Sequence, residues 1–448
     1  VSVAAVNDSP IVTASGGTTT FTEGNNTPST PVLIDIGVTL SDVDSNTLVS
    51  ATVSITGGFQ GAQDVLAFTN NGVSMGNINA VYSPGNGVLT LTSSGGTATV
   101  AQWQTALRAV TYTNSSDTPD TANRTISFAV NDGSVDSNAG TRIVSVAAVN
   151  DSPIVTASGG TTTFTEGNNV TSTPVVVDNG ITVADADSST LASATVSITT
   201  GFESTEDTLA FSNTSSSLYG DLSASYSAGV LTLTSSSGTA TMAQWQAALR
   251  TVTYTNSSDT PNTGDRTISF SVNDGIADSN AGTKTVTVEA VNDTPVVVSP
   301  IPNQITLEDA PFSFQFNANA FADADDALTY TAQLTGGAAL PTWLSFDAST
   351  QTFSGTPDND QVGTLSIEVT ADDGNLGVVT STFTLEVTNT NDAPTVVTPI
   401  AAQTTAEDAV FSFTVPAGTF ADVDAGDVLS YTAQLTGGAA LPTWLSFD

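Results

Sequence analysis

With 44 Asp and Glu residues, 6 Lys and Arg, and no His or Cys, this chain can do site chemistry chiefly with carboxylate, amide and hydroxyl oxygens. The acids are ordered, not scattered. Asn-Asp pairs stand at Asn7-Asp8, Asn150-Asp151, Asn292-Asp293 and Asn391-Asp392. An early Glu follows each pair, at Glu23, Glu166, Glu308 and Glu407, and then an Asp-x-Asp step. Those steps are Asp42 and Asp44, Asp185 and Asp187, Asp323 and Asp325, and Asp422 and Asp424. Late in the unit come Asn131-Asp132-Gly133, Asn273-Asp274-Gly275 and Asp372-Asp373-Gly374. One Asp-x-Asp is ordinary turn chemistry. The same ladder in the same order in successive units is not, because two like charges about 4 Å apart repel by roughly 4 kcal/mol at an effective dielectric near 20. A cation among them removes that cost. Oxygen-only ligands suit Ca²⁺, with six to eight of them. Zinc would ask for nitrogen or sulfur ligands, and Mg²⁺ keeps more of its water.

The same composition narrows the function classes. A net charge of −38 cannot neutralise phosphates, so nucleic acid is not an expected partner, and an anionic membrane surface would repel the chain. No apolar run is long enough to span a bilayer, so no direct membrane insertion is expected. Ser-His-Asp and Cys-His catalysis, His zinc sites and disulfides are ruled out by residue type. Two carboxylates could still hydrolyse a glycoside. An enzyme, however, calls for one unique constellation, and here the acids recur in every unit; the chain is read as no enzyme. Disorder is not expected either, since 39% of residues are hydrophobic and only 11% are charged.

Positioning these acids requires a repeated scaffold. Asp8 to Asn26 recurs verbatim from Asp151 to Asn169, and Tyr330 to Asp347 recurs from Tyr431 to Asp448. Runs such as 51–56, 88–92 and 124–130 alternate apolar and polar residues, rich in β-branched types and punctuated by Gly, Asn, Asp, Ser and Pro. Short strands at regular spacing predict an all-β fold of tandem sandwiches. One helix is expected, over Thr99 to Arg108 and again over Thr241 to Arg250, with Thr99 as N-cap and Val100, Trp103 and Leu107 on one face. Trp103 and Trp245 are read as packing residues. The organisation expected is a last strand of a preceding domain at 1–6, long domains at 7–149 and 150–291, a short domain at 292–390, and a truncated copy of it at 391–448. Val1 to Val6 repeats Val144 to Val149, so the chain reads as a piece of something longer.

The order of linker Asn-Asp, Glu, Asp-x-Asp and late Asp resembles cadherin repeats. The short units, with Glu308 to Phe312, Leu340 to Leu344 and Ser354 to Pro357, resemble the dystroglycan-type cadherin-like modules of bacterial surface proteins. The long units are similar to cadherin-like repeats of large, RTX-like adhesins exported by type I secretion. The resemblance implies Greek-key, immunoglobulin/cadherin-like β-sandwiches joined end to end, with Ca²⁺ shared at their joints. It implies a first joint of Glu23, Asn150, Asp151, Asp185, Asp187 and Asp274, and a second of Glu166, Asn292, Asp293, Asp323, Asp325 and Asp373. A third would use Glu308, Asn391, Asp392, Asp422 and Asp424, while Asn7, Asp8, Asp42, Asp44 and Asp132 would serve an upstream neighbour. The family's Asp-Arg-Glu motif is absent. Asp358 and Asp360 stand near its place in the third unit, and Asp117 and Asp259 are weaker substitutes in the long units. Ala148, Ala290 and Asn389 replace the linker's first acid, so fewer than three ions per joint are expected.

The function expected is an extracellular bacterial spacer, stiffened by Ca²⁺ between neighbouring repeats of the same chain. The alternatives are a self-associating subunit, pairing with copies of itself in a fibre or biofilm-matrix filament, and a glycan- or receptor-binding module.

Overall fold

The structure, a computed structural model, describes residues 2–448; Val1, the first residue of the expected 1–6 strand, lies outside them, and residues 2–6 carry no strand. The chain divides into two compact units. One holds the residues up to Phe164 with Ser172–Ser257 and Asn262–Glu289, and the other holds Thr165–Thr171, Ser258–Pro261 and Ala290–Asp448.

In the first unit the alternation of Arg124–Asn131 buries every second residue, so Ile126, Phe128 and Val130 face inward. That strand lies inside a six-stranded sheet whose order is Thr18–Thr22, Gly140–Ala147, Arg124–Asn131, Ser50–Gly57, Val88–Ser93 and Ile78–Ser83. The pairing of Thr18–Thr22 with Gly140–Ala147 is parallel, so the start of the unit lies beside its end. A second sheet, Val32–Leu33, Thr111–Asn114 and Asp64–Ala67, together with the pair Ile11–Thr13 and Thr39–Ser41, completes the sandwich. The same orders recur from Ile154 to Glu289, with Arg266–Asn273 in the place of Arg124–Asn131.

The helix forms as expected, over Val100–Arg108 and Met242–Leu249. Thr99 and Thr241 each make a capping box with the Gln three residues on. Trp103 is wholly buried and its indole N–H donates to Leu48 O at 2.9 Å, which bears out packing.

The second unit builds its sandwich from Gln304–Leu307, Val378–Thr388, Gly363–Asp372 and Thr329–Leu334 against Phe312–Gln315, Thr352–Gly355 and Leu344–Asp347. Its core is aromatic, with Phe316, Phe346, Phe353 and Phe383 in contact in series. Gln304–Leu307 again pairs parallel with the last strand. Farther on, Thr395–Val396 pairs antiparallel with Phe420–Ala421. The molecule is therefore all-β, a series of immunoglobulin/cadherin-like β-sandwich repeats. Among the described residues no helix is long and apolar enough to cross a membrane.

Candidate metal centres at the interdomain linkers

Because Thr18–Thr22 runs parallel to Gly140–Ala147, and Gln304–Leu307 to Val378–Thr388, the early Glu and the outgoing linker leave the same end of the sandwich together. In the first unit Glu23 follows Thr18–Thr22; its amide donates to Ala147 O, and its Oε2 accepts from the Val149 amide, both at 3.1 Å. That bond holds the carboxylate against the linker just before Asn150-Asp151. Asp151 is fully buried; its Oδ1 accepts from the backbone of Asn26, whose φ of 47° is left-handed and easiest for Gly or Asn. Behind the linker, the Asp151 amide donates to Asp187 Oδ2 at 3.3 Å, and the Asp187 amide donates to Asp185 Oδ1 at 3.0 Å. Asn150 Nδ2 donates to Asp274 Oδ2 at 2.7 Å. All six residues of the expected first joint are thus gathered about one short linker.

Oxygens of Glu23, Asp117 and Asp151 lie within 4.8 Å of one another. Asp117, the weaker substitute in sequence terms, is part of the cluster. Glu23 Oε1, Asp151 Oδ2 and Asp185 Oδ2 are buried without a hydrogen-bond partner. Burial raises the Glu23 carboxyl above its usual value. The Val149 amide works against this, and the charges of Asp151, Asp117 and Asp187 add to it. Burial likewise raises Asp185. Asp274 goes the other way, because hydrogen bonds from Ala277, Asn150 and Ile276 outweigh its burial.

The second joint, inside the second unit, repeats this wiring. Glu166 Oε2 accepts from the Val291 amide at 3.0 Å, and Asn292 Nδ2 donates to Asp373 Oδ2 at 2.9 Å. The Asp293 amide donates to Asp325 Oδ2 at 2.8 Å, and the Asp325 amide to Asp323 Oδ1 at 3.0 Å. Glu166, Asp259 and Asp293 cluster, and Glu166 Oε1, Asp293 Oδ2 and Asp323 Oδ2 are the unpartnered buried oxygens. Burial and then the neighbouring acids, Asp293 first, raise Glu166; burial raises Asp293, with Asp325 the leading charge.

The third joint is related but different. Glu308 Oε1 accepts from the Thr390 amide at 2.7 Å, and the Asp392 amide donates to Asp424 Oδ2 at 2.6 Å. The Asp424 amide donates to Asp422 Oδ1 at 3.0 Å, and Asn391 Nδ2 to Asp392 O at 2.9 Å. Glu308, Asp392 and Asp424 form one cluster, and Asp422, Asp424 and Asp427 another. Asp358 and Asp360 stay exposed; Asp358 caps the short turn Asn359–Gln361, and it is the intervening Asn359 that reaches Asp392. At the upstream end the wiring recurs, with Asn7 Nδ2 on Asp132 Oδ2 at 2.8 Å, the Asp8 amide on Asp44 Oδ2 and the Asp44 amide on Asp42 Oδ1, both at 3.1 Å.

Sequence reasoning missed Asn359 and Asp427, and it noted Asn389 only as replacing a linker acid, without its bond to Asp424. Asp427 carries a local sign, three residues after the Asp422-x-Asp424 step. The two amides carry none, because an Asn reads the same whether it turns a loop or reaches across a joint. Buried carboxylate oxygens without partners are costly, and a hard divalent cation satisfies several at once. The donor set is oxygen only, so these residues fit Ca²⁺.

Among known proteins, the family described as "Putative Ig domain" matches residues 294–388 and 393–448. Halomucin of Haloquadratum walsbyi is 33% identical over 256 residues, 56% of this chain and 2% of that protein. The serine-rich adhesin for platelets of Staphylococcus aureus (strain USA300) is 34% identical over 119 residues, 27% of this chain and 5% of that protein. The chain thus spans a small fraction of the length of the relatives it matches. Among solved structures, protocadherin gamma B2 extracellular cadherin domains 1–5 align with 17% identity and a TM-score of 0.38, covering 86% of this chain and 61% of that one. Mouse cadherin-23 EC22–24 aligns at 16% identity and a TM-score of 0.34, over 86% of this chain and 100% of that one.

Proposed function

We propose that this chain is a spacer segment of a secreted bacterial surface adhesin, with sandwich repeats whose joints are held by Ca²⁺. The observation that carries the reading is the recurrence of unpartnered buried carboxylate oxygens at one place in successive repeats, Glu23 Oε1 with Asp151 Oδ2 and Glu166 Oε1 with Asp293 Oδ2. In the first joint Glu23, Asp117, Asp151, Asp185 and Asp187 would hold the ion, and Asn150 and Asp274 would fix the linker. In the second, the same parts fall to Glu166, Asp259, Asp293, Asp323 and Asp325, with Asn292 and Asp373 fixing the linker. At the upstream end Asp8, Asp42, Asp44, Asn7 and Asp132 would serve a further neighbour in the same way. The cation would supply the positive charge that the chain lacks there.

The protein's own residues do the positioning. Glu23 and Glu166 clamp the linker amides of Val149 and Val291, and Asn150 and Asn292 tie the linker to the far sandwich. Without the ion, mutual repulsion would open these joints into hinges; with it, the repeats would hold a fixed relation and act as a stiff extender. Extracellular modules bind calcium at roughly 10⁻⁴ to 10⁻³ M, which suits a chain that stiffens after export. The match to an adhesin and the immunoglobulin-like family match support the surface role. Small-angle scattering of the whole chain in 2 mM-scale calcium and in EDTA, at about the free concentrations this affinity range requires, tests the reading. A larger, better-defined maximum dimension in calcium is expected, and an identical profile in both would sink it.

A further inference from the structure

The third joint differs from the first two in a way that bears on regulation, and the inference rests on the calcium reading above. In the first joint Asp151 Oδ2 is buried without a partner, and in the second Asp293 Oδ2 is. In the third, one oxygen of the linker aspartate, Asp392 Oδ2, accepts from the side-chain amide of Asn359 at 2.7 Å. Asn359 lies in the loop before Gly363–Asp372, as Asp117 lies in the loop before Arg124–Asn131 and Asp259 in the loop before Arg266–Asn273. An amide therefore stands where the first two joints bring a loop carboxylate, and the third carboxylate of this cluster is Asp424 instead. A second amide enters from the linker. Asn389, two residues before Asn391, donates to Asp424 Oδ1 at 3.0 Å, whereas Ala148 and Ala290 occupy that position in the other linkers and have nothing to donate. Of the buried early glutamates each keeps one unpartnered oxygen, but in the third joint Glu308 Oε2 is the one buried unpartnered carboxylate oxygen among the described residues, and Asp392 is only half-buried.

We propose that the side-chain amides of Asn359 and Asn389 tie the third joint where the first two have a loop carboxylate and an alanine, so that calcium governs the first two joints far more than the third. An N–H donor on a carboxylate oxygen lowers the demand for a cation and removes one ligand position. Replacing the loop acid by an amide also removes its negative charge from beside the linker aspartate, and with it that part of the local repulsion. The segment would then keep one joint formed while the other two respond to the free calcium outside the cell.

Hydrogen exchange of the intact chain, read by mass spectrometry across a calcium titration, tests this on equivalent amides. Val149 and Asp151 report the first joint, Val291 and Asp293 the second, and Thr390 and Asp392 the third, since each of these amides is held by a joint carboxylate. The expected result is protection that rises about tenfold or more with calcium at the first two joints, equivalent to about 1.4 kcal/mol each, and changes little at the third. Equal midpoints and amplitudes at all three joints overturn the proposal and leave the calcium reading standing. No response at any joint removes both. Asn359→Asp restores the acid and is expected to make the third joint calcium-responsive; an Asn359→Asp chain whose third joint stays indifferent to calcium also overturns the proposal.

Discussion

Glu23 shows what a single carboxylate does at such a joint. One oxygen is hydrogen-bonded to the Val149 amide, the other is buried with no donor, and the carboxylate clusters with Asp117 and Asp151. Burial first, and neighbouring charge after it, hold its carboxyl above the usual value, as they do at Glu166. A carboxyl raised in the folded state binds more protons there than in the unfolded chain. In the ion-free protein its ionisation therefore costs stability above the raised value, and that cost is relieved as pH falls through it. Calcium at the proposed site would require the ionised form, so protons and calcium would compete. Calorimetric titration is expected to give weaker calcium binding at pH 5 than at pH 7, with proton release on binding that grows as pH falls. Affinity that is flat or rising on acidification would count against the site. Glu23→Gln removes one carboxylate charge and is expected to lower the number of ions bound per chain or weaken the first joint at least tenfold, while the equivalent Glu166→Gln acts on the second; Asp221→Asn, in a half-buried turn held by Ser235, Ser236 and Ser237, is expected to leave both unchanged.

Strands and turns show which parts of this arrangement can be read without coordinates. Alternation through Ile126, Phe128 and Val130 puts Arg124 on the inner face of its strand by parity, yet parity cannot name what meets it. The structure pairs Arg124 Nε with Asp64 Oδ2 at 2.9 Å, both side chains fully buried, and adds Tyr112 and Asn114 on Asp64 Oδ1 at 2.5 and 2.7 Å. Arg266 and Asp207 repeat the pair at 3.1 Å. These cations, which in sequence look like incidental basic residues, hold the strand Asp64–Ala67 to the opposite sheet. Cutting one partner leaves a buried charge alone, so Arg124→Ala is expected to destabilise its sandwich by about 3–5 kcal/mol. Denaturant unfolding followed by Trp103 fluorescence would read that loss, and a change under about 1 kcal/mol would mean water reaches Asp64 in the folded state. Thr99 was legible from its cap chemistry alone; Thr99→Ala is expected to cost about 1 kcal/mol. The joints divide along the same line. Asn-Asp, Glu and Asp-x-Asp could be found because they recur, whereas Asn359 and Asn389 act in one joint only and leave no repeat to notice.

At the scale of the molecule the question is whether net charge or site chemistry controls the joints. A chain at −38 repels itself throughout, and that repulsion alone extends a flexible polyanion. Salt and calcium separate the two causes. Repulsion between exposed charges is largely screened beyond about 8 Å at physiological ionic strength and beyond about 3 Å at 1 M. The oxygens that matter here are buried, with Asp151 and Asp293 fully so, and added NaCl neither reaches them nor bridges them. If the joints are calcium sites, raising NaCl in EDTA is expected to contract the chain modestly and leave its linkers open to protease near 148–151 and 290–293. Millimolar-range calcium, the range extracellular modules require, is expected to protect those same linkers at either salt concentration. Magnesium at equal concentration is expected to protect them poorly, because it holds its water where these buried carboxylates ask the ion to give it up. Time-resolved cleavage mapped by mass spectrometry distinguishes the cases. Protection that NaCl alone reproduces would assign the stiffness to diffuse charge and take the joints out of the account.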